Sequence, residues 1–105
     1  LSDIQHAWYR CYVFVRPERL RADWSRDRIV QEINASGVPC LQGSCSEMYL
    51  EKAFENAGLQ PTQRLPVAHE LGETSLAFLV HPTLTAQEID KTCNILLDVM
   101  SRATS

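Results

Sequence analysis

The feature that most constrains this chain is a strand-turn-helix signature in its last third. Six residues from Ser75 to Val80, SLAFLV, form an almost continuous apolar run, which is typical of a buried strand. Pro82 cannot continue a strand, and Thr85 with Glu88 three residues later makes the T-x-x-E capping box that begins a helix. We therefore expect a buried strand that is followed at once by the last helix.

Two further strands are predicted nearer the amino terminus. The segment Trp8–Val15 is rich in aromatic and β-branched residues and ends before Pro17, which favours a strand buried on at least one face. The segment Val38–Gln42 is a shorter candidate. Its Pro39 lacks the N–H that a central strand needs, so we expect this strand at the edge of the sheet.

Four helices are predicted around these strands. The first lies within Ser25–Gly37, the second covers Gly43–Gly58, and the third covers Leu65–Gly72, with its glycine as the stop signal. The last helix follows Thr85, and its apolar residues share one face: Ile89, Cys93, Leu96, Leu97 and Met100. The order β-α-β-α-α-β-α predicts an α+β fold in which helices cover a three-stranded sheet.

Composition limits the class of protein. With 105 residues, 45% of them hydrophobic, the chain has room for one domain, residues 1–105. Its net charge of -3 provides no basic patch for nucleic acid or an anionic membrane, and no apolar run approaches the roughly 18 residues of a membrane span. The chain shows no signal peptide, so a cytoplasmic protein is expected. The absence of an initiator Met suggests processing or a piece of a longer protein.

The cysteines and histidines are candidates for metal binding or nucleophilic catalysis. No C-x-x-C pair occurs among Cys11, Cys40, Cys45 and Cys93, and no metal-binding helix spacing occurs among His6, His69 and His81. We therefore predict reduced thiols and no metal, with Cys11 and Cys93 acting as small hydrophobes. A Cys45 nucleophile would need a histidine beside it, and no hydrolase signature surrounds it. Pro82 makes His81 a structural corner, and His69 is expected at the surface.

The segment Gly43–Ser46 leaves two interpretations open. Its small residues open the second predicted helix, where free N–H groups favour a bound anion and lower the pKa of a nearby thiol such as Cys45. Alternatively, Ser44 or Ser46 simply caps that helix.

Four segments carry a family resemblance when they are taken in order: YRCYVFV, WSRDRIVQEINASGVP, RLPVAHELGETSLAFLVHPTLTAQEID and ILLDVM. Together they resemble the carboxy-terminal domain of DegT-type nucleotide-sugar aminotransferases, which are fold type I enzymes that depend on pyridoxal phosphate. The resemblance runs from about Trp8 to Met100, and its most specific part is the carboxy-terminal half.

The resemblance implies that this chain is the small domain of a larger, homodimeric enzyme. In that family a large amino-terminal domain holds pyridoxal phosphate on a lysine, and the small domain closes the sugar side of the active site. An amino donor, commonly glutamate, supplies the amine for a nucleotide-linked keto-sugar in surface polysaccharide or glycoconjugate synthesis. This chain offers only Lys52 and Lys91, both in predicted helices, so we expect it to hold no cofactor and no catalytic residue by itself.

The resemblance also locates a region of substrate contact after the second predicted strand, with Gln42, Ser44 and Tyr49 as candidates. Many family members have a His-Tyr pair where this chain has Gly43-Ser44, so the sugar is not specified. The alternative function is a stand-alone α+β ligand-binding or regulatory module with an anion site at Gly43–Ser46. Core packing is the default expectation for the aromatic residues Trp8, Tyr9, Tyr12, Phe14 and Trp24, whereas a fragment that lacks its large domain would expose an apolar patch there.

Overall fold

The computed structural model describes residues 3–5 and 7–104. His6 lies outside the described residues. The strands are β1 (Arg10–Phe14), β2 (Cys40–Leu41) and β3 (Ser75–Leu79), and the helices are α1 (Arg26–Ala35), α2 (Lys52–Asn56), α3 (Pro66–Thr74) and α4 (Ala86–Ala103). Single 3₁₀ turns occur at Pro17–Arg19 and Met48–Leu50. The predicted α+β fold and the order β-α-β-α-α-β-α are confirmed.

The sheet is antiparallel and has the strand order β1-β3-β2. Val13 of β1 pairs with Leu76 of β3, and Cys40 of β2 pairs with Phe78 of β3. The last strand of the chain therefore occupies the centre of the sheet, which explains why its sequence is the most apolar. The prediction of β2 as an edge strand is confirmed, because β2 pairs with β3 alone.

Helices α1 and α4 pack on one face of the sheet and form the core with it. Ile29 and Ile33 of α1, Leu76 of β3 and Val99 of α4 are the largest fully buried side chains. Each such side chain stabilises the fold by about 1.5–3 kcal/mol relative to an exposed position. The other face of the sheet, which we call the outer face, has Tyr12, Phe14, Leu41 and Leu79 exposed.

The buried side of α4 is only partly the predicted one, since Leu96 and Met100 contact the core but Ile89, Cys93 and Leu97 are exposed. Val99 and Ala103 are buried, and Ile95, Leu96 and Met100 pack against the core. By contrast, Ile89 is 50% exposed, Leu97 is 68% exposed and Cys93 is exposed. The apolar residues of α4 extend over more than one side of the helix, and the core takes the side centred on Val99. Packing against α1 and the sheet selects that side, which helical periodicity alone does not specify.

The capping predictions hold at both long helices. The Ser25 hydroxyl accepts from the N–H of Arg28 at 3.2 Å, and Gly37 ends α1 with φ +81°. Thr85 and Glu88 form the complete capping box: the Thr85 hydroxyl accepts from the Glu88 N–H, and the Glu88 carboxylate accepts from the Thr85 N–H. Caps of this kind contribute about 1 kcal/mol each.

Two helix predictions were wrong in their boundaries. The second helix does not cover Gly43–Gly58, because Glu51 is extended (φ -68°, ψ 142°) and leaves only a 3₁₀ turn before the short α2. The third helix does not stop at Gly72 but continues to Thr74. Gly72 instead leaves room for Ser46, since a Cβ at position 72 would lie 2.8 Å from the Ser46 hydroxyl.

Most of the amino-terminal aromatic residues do not pack in the core. Trp8, Tyr9, Tyr12 and Phe14 are all exposed, and only Trp24 is half-buried against the core. The strand begins at Arg10 rather than Trp8. Cys11 and Cys93 are exposed as well, whereas Cys40 is buried and burial raises the pKa of its thiol. The chain thus has a large uncovered apolar surface.

Among the described helices, none combines the length and the apolar character that a bilayer crossing requires.

Two glycines with positive φ provide a test of how tightly the segment after β2 is packed. Gly43 has φ +95° and its missing Cβ would collide with the Ser75 hydroxyl, whereas Gly58 has φ +64° and open space around it. Gly58→Ala is expected to lower the free energy of unfolding by about 1–2 kcal/mol, the cost of a left-handed alanine. Gly43→Ala is expected to cost about 1–3 kcal/mol more, because of overpacking. Urea unfolding of both variants measures the difference, and equal losses would contradict the close contact.

Candidate functional site

The candidate site is the segment Gln42–Ser46, which we call the β2 loop. It leaves β2 and crosses the sheet beside the first residue of β3, where the Ser75 hydroxyl donates to the Gln42 carbonyl at 3.0 Å. The absence of a side chain at Gly43 permits this contact with Ser75. The loop therefore lies against the sheet although it has no regular secondary structure.

Arg26 at the start of α1 fixes the β2 loop. Its side chain is only 12% exposed, and its Nη1 donates to the carbonyls of Gln42 at 3.1 Å, Gly72 at 2.9 Å and Ser75 at 2.9 Å. Its Nε donates to the carboxylate of Asp27 at 2.6 Å. One guanidinium thus joins the loop to α3 and to β3.

Arg26 was not predicted as a site residue, although the sequence contains a signal for its role. A cation in the first turn of a helix is unfavourable because the amino-terminal end of the helix dipole is positive. Arg26 follows the Ser25 cap directly, so its charge must be compensated elsewhere. The neighbouring Asp27 and the three carbonyls supply that compensation.

Gln42 and Ser44 lie together in the β2 loop, and both are already hydrogen-bonded. The Gln42 side-chain amide donates to Asp27 at 3.1 Å. The Ser44 hydroxyl is 2.5 Å from the Tyr12 hydroxyl, so these two groups share a hydrogen bond. Tyr12 is on the outer face of the sheet and was not predicted as a site residue. A polar pair, Tyr12 and Ser44, therefore stands beside the exposed apolar side chains of that face.

Among the described residues, no hydrogen bond links the Tyr49 side chain to the β2 loop. Its hydroxyl donates to the Glu47 carboxylate at 2.6 Å and accepts from the Leu65 N–H at 3.1 Å. Arg64 donates to both oxygens of Glu47, at 2.7 Å and 2.6 Å, and His69 Nδ1 is 3.4 Å from the same carboxylate. These side chains form what we call the Glu47 cluster. It joins the start and the end of the segment that connects the β2 loop to α3.

The Glu47 cluster shifts the acidities of its members. Hydrogen bonds from Arg64 and then Tyr49 lower the pKa of Glu47 to about 2, although its side chain is only 14% exposed. Burial, followed by the hydrogen bond to the Glu47 carboxylate, raises the pKa of Tyr49. The Glu47 carboxylate in turn raises the pKa of Arg64. At neutral pH the cluster is therefore a fixed ion pair with a neutral phenol.

The anion site and the helix cap predicted at Gly43–Ser46 both required a helix that begins at this segment. No helix begins there, because α2 starts at Lys52 and has only five residues. Ser44 bonds to Tyr12, and Ser46 donates to the Ala68 carbonyl at 2.6 Å, so neither serine caps a helix. Cys45 is exposed, and its thiol donates to the Glu51 carboxylate at 3.7 Å.

The remaining candidates have structural positions. His81 Nδ1 accepts from the N–H of Thr83 at 3.3 Å and lies 2.7 Å from its hydroxyl, so it closes the turn at Pro82, as predicted. Lys52 and Lys91 are both exposed, and Lys91 lies 3.5 Å from the Gly37 carbonyl. A lysine that holds pyridoxal phosphate needs an amine shielded from solvent, and both of these lysines are exposed. The residues of this chain therefore do not fit that cofactor.

Comparison with known proteins identifies the fold. No protein-family model matches the chain, and no curated protein matches it. Among solved structures, the aminotransferase from Psychrobacter cryohalolentis is 57% identical over 97% of this chain, with a TM-score of 0.90. This chain has the fold of one part of that aminotransferase. It spans about a quarter of the length, since the match covers 26% of the solved chain.

The low pKa of Glu47 gives the stability of this chain a defined pH dependence. Because the folded-state pKa of about 2 lies below the ordinary value of 4.5, the stabilisation is complete above pH 4.5 and is lost as the pH falls towards 2. Glu47→Gln should therefore be much less stable than the unmodified chain at pH 6 and close to it at pH 2. Urea unfolding across this range measures the difference, with Glu55→Gln in α2 as the control. A difference that does not change with pH would contradict the assignment.

Proposed function

We propose that this chain is the small carboxy-terminal domain of a pyridoxal-phosphate-dependent aminotransferase of the DegT type. The observation that carries the proposal is the 57% identity to an aminotransferase over 97% of the chain, combined with a match to only 26% of that enzyme. The sequence signature from the Leu-Pro helix to the final capping box supports the same assignment. On this proposal, residues 1–105 are one domain and the large cofactor-binding domain belongs to the rest of the parent chain.

The uncovered surfaces of the chain support a missing domain. An antiparallel sheet that faces water usually has polar residues on that side. Here the outer face has four exposed apolar or aromatic side chains, Tyr12, Phe14, Leu41 and Leu79. Such a surface is expected where another part of a protein packs in the native assembly.

We infer a nucleotide-linked keto-sugar as the substrate, with surface polysaccharide or glycoconjugate synthesis in the cytoplasm as the setting and a homodimer as the working form. In the parent enzyme, pyridoxal phosphate would carry the amine from a donor such as glutamate to the sugar. This chain contributes no group to that transfer. Its contribution is to shape the sugar side of the active site.

The β2 loop is the part of this domain that we assign to the sugar. Gln42, Ser44 and Tyr12 supply amide and hydroxyl groups of the kind that bind sugar hydroxyls. Arg26 and Asp27 hold Gln42, and Tyr12 and Ser44 hold each other, before substrate arrives, so little ordering entropy has to be lost on binding. Proper placement matters because a small displacement of the reacting atoms reduces the rate strongly. Tyr49 stabilises the segment between the β2 loop and α3 through the Glu47 cluster. It is therefore a weaker candidate for substrate contact.

The test uses the complete parent enzyme, encoded by the reading frame that extends upstream of Leu1 and includes this domain. Gln42→Ala and Ser44→Ala should each raise KM for the keto-sugar about 3–10-fold, the effect of one lost hydrogen bond, and leave KM for the amino donor unchanged. Gln63→Ala, at an exposed position outside the loop, is the matched control. Steady-state kinetics with both substrates measures these values.

Two results would contradict the proposal in different ways. A start codon a few residues upstream of Leu1, with no large domain, would remove the assignment to an aminotransferase. An active aminotransferase in which both variants keep the KM of the unmodified enzyme would retain the assignment and remove the role of the β2 loop.

A further inference from the structure

A groove on the helix side of the sheet is not used by the proposed function. It runs between the first half of α4, the end of β3 with the Pro82 turn, and Val38-Pro39, and we call it the α4 groove. Its volume is about 610 Å³. Its floor and walls are mostly apolar, with contributions from Val13, Phe78, Val80, Leu84, Ile89 and Leu96.

The α4 groove is separate from the β2 loop. Side chains alternate between the two sides of a strand, so Cys11 and Val13 of β1 face the groove while Tyr12 faces outward. The loop residues Gln42–Ser46 do not line the groove. A ligand of the proposed sugar site would therefore not fill it.

The polar groups of the α4 groove already have partners within the chain. Glu88 belongs to the capping box, and His81 is bonded to Thr83. The Thr92 hydroxyl donates to the Glu88 carbonyl at 2.9 Å, and Lys91 is directed to Gly37. A polar ligand would find few free donors or acceptors here. Apolar side chains fit the groove better, since Ile89 and Leu84 are both exposed in it.

The position at which the chain enters the sheet indicates what covers the groove. Arg10 is the first residue of β1, and the next residue, Cys11, lines the groove beside its pairing partner Phe78. The segment just before β1 has further exposed apolar residues at Ile4, Trp8 and Tyr9. Exposed apolar side chains thus continue from the groove onto the residues that precede β1.

We propose that apolar side chains of the parent polypeptide upstream of β1 pack into the α4 groove. The inference rests on the proposed function, because it needs the nearly three-quarters of the matched aminotransferase that has no counterpart in this chain. A segment joined covalently to β1 has a high effective concentration at the groove, so it outcompetes a second copy of the chain at equal contact area. The groove then docks this small domain on the rest of its own chain.

The reactivity of two cysteines in the α4 groove shows whether another segment covers the groove. Cys11 and Cys93 both line the groove and are exposed in this chain. In the complete parent enzyme, iodoacetamide should alkylate both thiols at least about tenfold more slowly in native buffer than in urea, since alkylation then requires the docked segment to open. Peptide mass spectrometry measures each rate. Native rates close to those in urea would show an open groove and overturn the proposal.

A photo-crosslink identifies the occupant. A benzophenone amino acid in place of Leu84, at the rim of the groove, should crosslink to the segment upstream of β1 and give a product of monomer mass on a denaturing gel. The same amino acid in place of Gln31, an exposed residue of α1, is the control and should not reach that segment. A dimer-mass product, or a crosslink to any other segment, would overturn the proposal.

The aminotransferase assay on the same preparations separates this inference from the proposed function. An active enzyme with rapidly alkylated Cys11 and Cys93 overturns the docking alone. A reading frame without an upstream domain overturns both.

Discussion

The arrangement around the candidate site depends on the nearly buried guanidinium of Arg26. Three main-chain carbonyls from three different segments converge on its Nη1, and Asp27 neutralises its charge. Bonds from a charged donor are stronger than those between neutral groups, and each of these carbonyls would otherwise need another partner. The planar fork of arginine suits this task, whereas a lysine ammonium acts as a point charge. One side chain of α1 therefore links the β2 loop, the end of α3 and the start of β3.

These linked segments lie on a small core that covers only one side of the sheet. Ile29, Ile33, Leu76 and Val99 are fully buried between sheet and helices, while the outer face and the α4 groove remain open. A fold with two uncovered apolar surfaces on opposite sides of one sheet suits a domain that contacts the rest of a larger protein at more than one place. The β2 loop lies beside the outer face, so we assign the substrate to that side. We assign the packing of the upstream polypeptide to the α4 groove on the other side.

Local sequence signals predicted much of this fold. The capping box at Thr85, the Ser25 cap and the apolar run of β3 are each specified by a few neighbouring residues, and the structure has them where they were predicted. Features that depend on distant contacts were not predictable in this way. The glycine signal at Gly72 was misread because its cause is Ser46, 26 positions away in the chain. The buried side of α4 and the role of Arg26 likewise follow from tertiary packing. Tyr49 was placed near the loop by resemblance, but its hydrogen bonds belong to the Glu47 cluster.

The most direct measurement is the unfolding of Arg26→Lys compared with Arg28→Lys. Arg28 is two positions further along α1, and a lysine there can keep both the ion pair with Asp23 and the cation–π contact with Trp24, so the replacement should change the free energy of unfolding by less than about 1 kcal/mol. Arg26→Lys keeps the charge but loses the fork, and we expect a loss of about 3 kcal/mol together with faster hydrogen exchange in the β2 loop. Equal stabilities of the two variants, with unchanged exchange in the loop, would contradict the central place of Arg26.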